Sequence, residues 1–203
     1  MFVVFEGVDG SGKSTLQAGL GQRLRAEGRA VLETQEPGGT QLGREVREIF
    51  LNGAVEMEPL PATLILNAAR AQHVTQVIRP ALAAGTIVLC DRFTDSTIAY
   101  QSYGFGLDLE RVKAINEIAT GGLQPDLVFV LDVPASVAAA RLKTRQKGHK
   151  DRIEALHDDF QVRVRRGFLD LAKTPRHRLL DGTLPEPALV DLALREVLGA
   201  RVP

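Results

Sequence analysis

The chain opens on an apolar run, Phe2-Val3-Val4-Phe5, that leads directly into Glu6-Gly7-Val8-Asp9-Gly10-Ser11-Gly12-Lys13-Ser14-Thr15. Gly7-x-x-x-x-Gly12-Lys13-Ser14 fits G-x-x-x-x-G-K-[ST], the phosphate-binding loop. Successive apolar positions before it suit a strand buried on both faces. Leu16, Leu20 and Leu24 then repeat at helical spacing, so the motif stands between a strand and a helix, as it must. Glycines let backbone N–H groups converge on an anion, and the helix N-terminus adds its positive end. Lys13 is able to reach the β- and γ-phosphates and the Ser14 hydroxyl to ligate Mg²⁺. The plain alternative is a glycine-rich turn between strand and helix.

Two features of composition narrow the class. The 25 basic and 25 acidic residues cancel, which argues against a general nucleic-acid binder. No apolar run approaches the about 20 residues of a membrane-spanning helix, so no membrane partner is expected. The N-terminus starts directly in a strand, and no signal peptide is expected. The single Cys90 excludes an internal disulfide and fits a reducing cytoplasm. The four histidines show no metal-ligand spacing.

The remaining pattern alternates short apolar runs with helical stretches. Strands are expected at 30–34, 86–90, 127–131 and, more weakly, 178–180. Helices are expected at 41–52, 59–84 with a break near Pro80, 94–103, 108–119, 135–146, 154–172 and 186–198. That alternation implies an α/β fold, a five-stranded parallel sheet with helices on both faces, in one domain over residues 1–203. Such sheets bind ligands at the carboxyl ends of their strands.

The strand ends are where chemistry is expected. Asp91-Arg92 closes the third strand. A carboxylate there is able to hold Mg²⁺ through water or orient a nucleophile, and the arginine to clamp a phosphate; a local ion pair is the plain reading. In the helix that follows, Thr97 and Gln101 share a face beside Tyr100. An amide and hydroxyls on one face suit a nucleobase edge and a sugar, or simply an ordinary polar surface. Glu36-Pro37-Gly38-Gly39-Thr40 is a tight turn after the second strand. The segment 141–152 holds six Lys or Arg in twelve residues. It is either a solvated face or, with Gly148 as hinge, a lid over phosphates at about 141–153.

Together these residues resemble the thymidylate kinase family, P-loop nucleoside monophosphate kinases. The resemblance spans nearly the whole chain: F-E-G-x-D-G-S-G-K-S-T at 5–15, E-P-G-G-T at 36–40, A-A-R at 68–70, D-R-F at 91–93, S-T-x-A-Y-Q at 96–101, L-D-V-P at 131–134 and D-R-I-E at 151–154. It implies transfer of the γ-phosphate of ATP to dTMP, with Mg²⁺, in a cytoplasmic homodimer. It implies that Gly7, Val8, Asp9, Gly10, Ser11, Gly12, Lys13, Ser14 and Thr15 hold the ATP phosphates and magnesium. Asp9 would also lie near the sugar and acceptor phosphate of dTMP. Asp91 would support magnesium, and Arg92 would contact the phosphates. Glu36, Pro37 and Ser96 would border the substrate, Arg70 the thymine edge, Thr97 and Gln101 the base, and Tyr100 the deoxyribose. Arg141, Arg145 and Arg152 would belong to the lid, with Arg145 catalytic. Two positions depart from the common pattern. Asp9-Gly10-Ser11 carries no arginine, as in the bacterial class whose lid supplies the arginines. Leu66 stands where a phenylalanine usually stacks on thymine; it either lies against that ring or belongs to the core. A guanine-reading Asn-Lys-x-Asp is absent from the sequence, which sets a regulatory GTP switch aside. Another nucleotide kinase and a non-catalytic scaffold are the other rivals.

Overall fold

The computed structural model describes residues 1–52, 56–145 and 158–199. Five parallel strands, β1 (Phe2–Glu6), β2 (Val31–Gln35), β3 (Ile87–Asp91), β4 (Leu127–Asp132) and β5 (His177–Asp181), form one sheet in the order β2-β3-β1-β4-β5. In register, Val4 lies opposite Cys90 on one side and Val128 on the other.

The apolar runs are continuous because β1, β3 and β4 are covered twice. Phe2, Val4, Val88, Cys90, Val128 and Val130 face one layer with Phe160, Val164 and Phe168. Their alternates Val3, Phe5, Leu89, Leu127, Phe129 and Leu131 face the other, with Leu16, Leu20, Leu24 and the helical Leu189, Ala193 and Val197. Each such Val, Leu or Phe side chain taken out of water contributes about 1.5–3 kcal/mol. The outer strands β2 and β5 are only partly covered, which is why their sequence signal is weaker.

The helices are α1 (Lys13–Ala26), α2 (Gln41–Asn52), α3 (Pro59–His73), α4 (Arg79–Ala83), α5 (Thr94–Thr97), α6 (Leu109–Thr120), α7 (Ala135–Arg145), α8 (Asp158–Leu171) and α9 (Glu186–Gly199). Three expectations are corrected. The helix through 59–84 does not break at Pro80: a π segment at Val74–Ile78 joins α3 to α4, and Pro80 sits in the first turn of α4. The wider turn before it accommodates the missing donor and the ring. The helix expected at 94–103 is α-helical only over Thr94–Thr97 and continues as a π segment, Ile98–Gly104. The third strand runs one residue further than expected, because Asp91 pairs with Phe5 and Gln35. Residues 154–157 of the helix expected at 154–172 lie outside the described residues. The same holds for residues 146–153 of the lid expected at about 141–153, with Arg152 among them.

β1 is the switch point of the sheet. Its neighbours β3 and β4 lie on opposite sides, and both arrive by crossover. A crevice therefore opens at their carboxyl ends.

Candidate active site

β1 delivers the loop into that crevice. Gly7 follows its last residue, and α1 starts at Lys13. The loop is pressed onto its surroundings: a Cβ on Gly7 would stand 2.5 Å from the Leu131 carbonyl oxygen, and one on Gly10 2.6 Å from that of Ala138. Lys13 is buried, its Nζ donating to the carbonyls of Gly7 at 3.1 Å and Val8 at 3.0 Å. Burial, and then the Arg92 charge, pull its ammonium down to about 8, against the pull of Asp91, Asp9 and Glu6. Thr15 is exposed on the first turn of α1, and Ser11 is buried with an unpartnered hydroxyl.

Ser14 Oγ donates to Asp91 Oδ2 at 2.6 Å, while Asp91 Oδ1 is buried with no hydrogen-bond partner. Magnesium takes oxygen ligands, commonly one or two carboxylates completed by substrate phosphates. A hydroxyl and a spare carboxylate oxygen at the start of α1 fit that requirement. Among the described residues no group of three or more His, Cys, Asp or Glu forms a self-sufficient metal cage.

Arg92 follows β3 in the left-handed region, φ 72°, a conformation that costs a residue with a Cβ about 1–2 kcal/mol. Its Nη1 donates to the Gly7 carbonyl at 3.2 Å and to Ser96 Oγ at 2.9 Å. Its Nη2 donates to Asp9 Oδ1 at 2.5 Å, and the guanidinium lies 5.2 Å over the Tyr100 ring. The Tyr100 hydroxyl donates to Asp9 Oδ2 at 2.9 Å, and its ring rests against Phe160 and Phe168 of α8. Burial would raise the Asp9 carboxyl, but Arg92, Lys13 and the Tyr100 hydroxyl outweigh it and bring it down to about 2.

Glu6, quoted in the motif at 5–15 but given no role there, is 0% exposed. Its Oε1 accepts from the backbone N–H of Phe93 at 2.8 Å and of Ser96 at 3.1 Å, and its Oε2 from the Ser96 hydroxyl at 2.5 Å. Burial and the nearby Asp95 carboxylate push it up to about 7, against Ser96, Arg92 and the Phe93 N–H. Between its ordinary 4.5 and about 7 the folded state therefore holds more proton than the unfolded chain, so Glu6 removes stability as pH rises. Against Glu6→Gln, wild type should lose up to about 1.4 kcal/mol of unfolding free energy per pH unit in that window. Denaturant unfolding at pH 5, 6, 7 and 8 measures it; a constant gap between the two proteins would contradict the raised value.

Beside the loop lies a cavity of about 180 Å³, large against the about 10–15 Å³ that holds one water. Every substrate-side residue expected from the sequence borders it. Asp9 comes from the loop, Glu36 and Pro37 from the turn after β2, and Leu66 and Arg70 from α3. Arg92, Ser96, Thr97, Tyr100 and Gln101 come from the chain after β3. Gln101 Oε1 is buried with no partner.

Arg70 is the hub of the cavity wall, 4% exposed. Nε donates to Glu36 Oε2 at 2.7 Å. Nη1 faces Asn67 Oδ1, Thr97 Oγ1 and Asn116 Oδ1 at 3.1, 3.0 and 2.7 Å. Nη2 donates to the Phe93 carbonyl at 2.9 Å, which leaves its second hydrogen for a ligand. The other Glu36 oxygen meets His73 Nδ1 at 2.9 Å, and His73 Nε2 meets Thr34 Oγ1 at 2.7 Å. His73, and Arg47 and Phe50 of α2, also border the cavity and were not marked from the sequence. The helical spacing of Val46 and Phe50 was their available signal. Phe50 places an aromatic ring on the wall that Leu66 leaves aliphatic.

Arg141 stands apart from the cavity, its guanidinium on the carbonyls of Ser11 at 3.3 Å and Gly182 at 3.0 Å. Arg145 is the last residue of α7; its side chain lies outside the described residues.

A phosphate loop on the central strand, a hydroxyl–carboxylate pair with one spare carboxylate oxygen beside it and an adjoining cavity of mixed polar and apolar lining define a P-loop phosphotransferase of the nucleoside monophosphate kinase type. The model of the thymidylate kinase family matches residues 5–191, and the chain belongs to that family, kinases that use ATP. A thymidylate kinase of Synechococcus sp. (strain JA-2-3B'a(2-13)) is 48% identical over 204 residues, all of this chain and 96% of its own. That of Deinococcus radiodurans is 48% identical over 191 residues, 93% of this chain and 92% of its own. That of Geobacter sulfurreducens is 44% identical over 209 residues, 100% of this chain and 98% of its own. Among the described residues no helix is long and apolar enough to cross a membrane.

Proposed function

We propose that this site transfers the γ-phosphate of ATP directly to the phosphate of dTMP, giving ADP and dTDP. The observation that carries the acceptor's identity is the unpartnered Gln101 carbonyl bordering the same cavity as Arg70, whose Nη2 keeps one hydrogen beyond its bond to the Phe93 carbonyl. A thymine presents an N–H donor beside a carbonyl acceptor, the complement of that pair. Tyr100, fixed by Asp9 and by α8, forms the wall for the deoxyribose. Phe50 and Leu66 supply the apolar faces for the ring.

The loop N–H groups and Lys13 hold the ATP phosphates, and Ser14 and Asp91 hold Mg²⁺, which neutralises charge on the transferred group when bound. Arg92 touches both the loop carbonyl of Gly7 and Asp9 in the cavity, so its fork stands where donor and acceptor phosphates meet. The acceptor is already an anion, so positioning and charge neutralisation suffice and no strong base is required. The loop carries no arginine of its own; Arg141, Arg145 and Arg152 of the lid segment supply that charge and exclude water on closure. We place the protein in the cytoplasm as a homodimer.

The test is an ADP-release assay across dTMP, dUMP, dCMP, dGMP and AMP. Discrimination that rests on matching a hydrogen-bonded edge reaches about 10⁴-fold, so dCMP, which inverts that edge, should be among the poorest acceptors. Turnover of dCMP or AMP equal to that of dTMP would reject the assignment.

A further inference from the structure

We propose that Glu6 is a positioning residue that aims the Arg92 guanidinium at the acceptor phosphate, acting through Phe93 and Ser96. The inference rests on the reading of Arg92 as a phosphate contact. A carboxylate buried in the middle strand of a parallel sheet is costly unless its oxygens are fully hydrogen-bonded. Glu6 directs its three accepted bonds to one short segment, the backbone N–H of Phe93, the backbone N–H of Ser96 and the Ser96 hydroxyl. That segment begins immediately after Arg92.

Arg92 is reached from Glu6 at two points, its backbone and, beside the Asp9 and Gly7 contacts, its guanidinium. Its backbone has φ 72°, which persists only where the surroundings impose it; the Phe93 N–H tied to Glu6 belongs to the next peptide. Its head, which Asp9 and the Gly7 carbonyl also hold, is turned further by Ser96: the hydroxyl gives its hydrogen to Glu6 Oε2 and so presents its lone pairs to Arg92 Nη1, 2.9 Å away. The strand residue that fixes Arg92 is also the residue from which the loop departs, and the Gly7 carbonyl accepts from the same Nη1 at 3.2 Å. One side chain thus registers the acceptor-side arginine against the donor-side loop. The competing view is that Glu6 only ties α5 to β1.

The two views separate in a double-mutant cycle of Glu6→Gln and Arg92→Ala, with kcat and KM measured for each protein. Glutamine keeps the shape and one acceptor, but its amide donates where the carboxylate accepts. The Ser96 hydroxyl must then turn its hydrogen toward Arg92. In the otherwise wild-type protein kcat should fall by about 10- to 100-fold, the cost of a misplaced clamp, with KM for ATP held within about twofold. In the Arg92→Ala background the same change should cost less than about threefold, because groups that act as a unit are not additive. Equal losses in both backgrounds, or wild-type kcat in Glu6→Gln, overturn the inference. If Glu6→Gln does not fold, Ser96→Ala takes its place in the same cycle with the same criteria. If Arg92→Ala turns over normally, the phosphate role of Arg92 fails and the inference falls with it. Equal losses overturn the role of Glu6 alone.

Discussion

Lys13→Met is expected to lower turnover by at least about 10²–10³-fold, the loss seen when one preorganised charge contact is removed from a reacting group, while the fold survives. The two expectations have separate causes. In the proposed function Lys13 is the ammonium that the loop offers to the ATP phosphates. Its structural contribution is small. The carbonyls it donates to keep other donors: Gly7 accepts from Arg92 and Val8 from the Ser11 N–H. Its charge is held in the fold against burial and the Arg92 cation, which is why its ammonium falls to about 8. Methionine fills similar space without that charge, so the variant should unfold no earlier than wild type at pH 7. Steady-state turnover and a thermal melt check both expectations. A folded Lys13→Met protein with near-normal kcat would sink the phosphate-loop assignment.

Arg70→Met is expected to act on both stability and substrate. The guanidinium is the shared partner of Glu36, Asn67, Thr97, Asn116 and the Phe93 carbonyl, all buried with it. Removing one member of a buried ion pair leaves the other charge uncompensated, at a cost of about 3–5 kcal/mol. Glu36 would retain only His73. Denaturant unfolding should show that loss, and calorimetric titration should show dTMP binding abolished. Arg70→Lys should recover part of the stability but not the binding, since an ammonium supplies charge without the planar fork. Changing Arg70 and Glu36 together to Met should unfold later than Arg70→Met alone, because no charge is then left unpaired. A stable Arg70→Met protein that binds dTMP normally would contradict both roles.

The sequence carried what is local. The loop is a contiguous motif flanked by its own strand and helix, so its place between β1 and α1 was legible directly. β1, β3 and β4 were clear because burial on two faces makes every position apolar. β2 and β5 were fainter because their outer edges need no apolar residue. The π segments had no local signature: Ile98–Gly104 looks like any helical stretch, and it packs against α8, far away in the chain. Glu6 was illegible for the same physical reason. Its partners lie 87 and 90 positions away, and a glutamate closing an apolar strand reads as the edge of a core. The resemblance to a known family gave Arg70 a role at the base, while its participation in a buried network emerged only when α3, α6 and the chain after β3 came together.

The contact of Gly7 and Gly10 with the backbone of Leu131 and Ala138 makes the start of α7 a reporter of the nucleotide site. The loop has no clearance there: added atoms at 2.5 and 2.6 Å would meet carbonyls, not side chains that swing aside. Arg141, further along α7, adds to the same contact by donating to the Ser11 carbonyl. Anything that stiffens the loop must therefore damp the fluctuations of the turn of helix beneath it. Amide protons of residues 138–141 should exchange with deuterium more slowly when ATP is bound, although none of those amides belongs to the loop between β1 and α1.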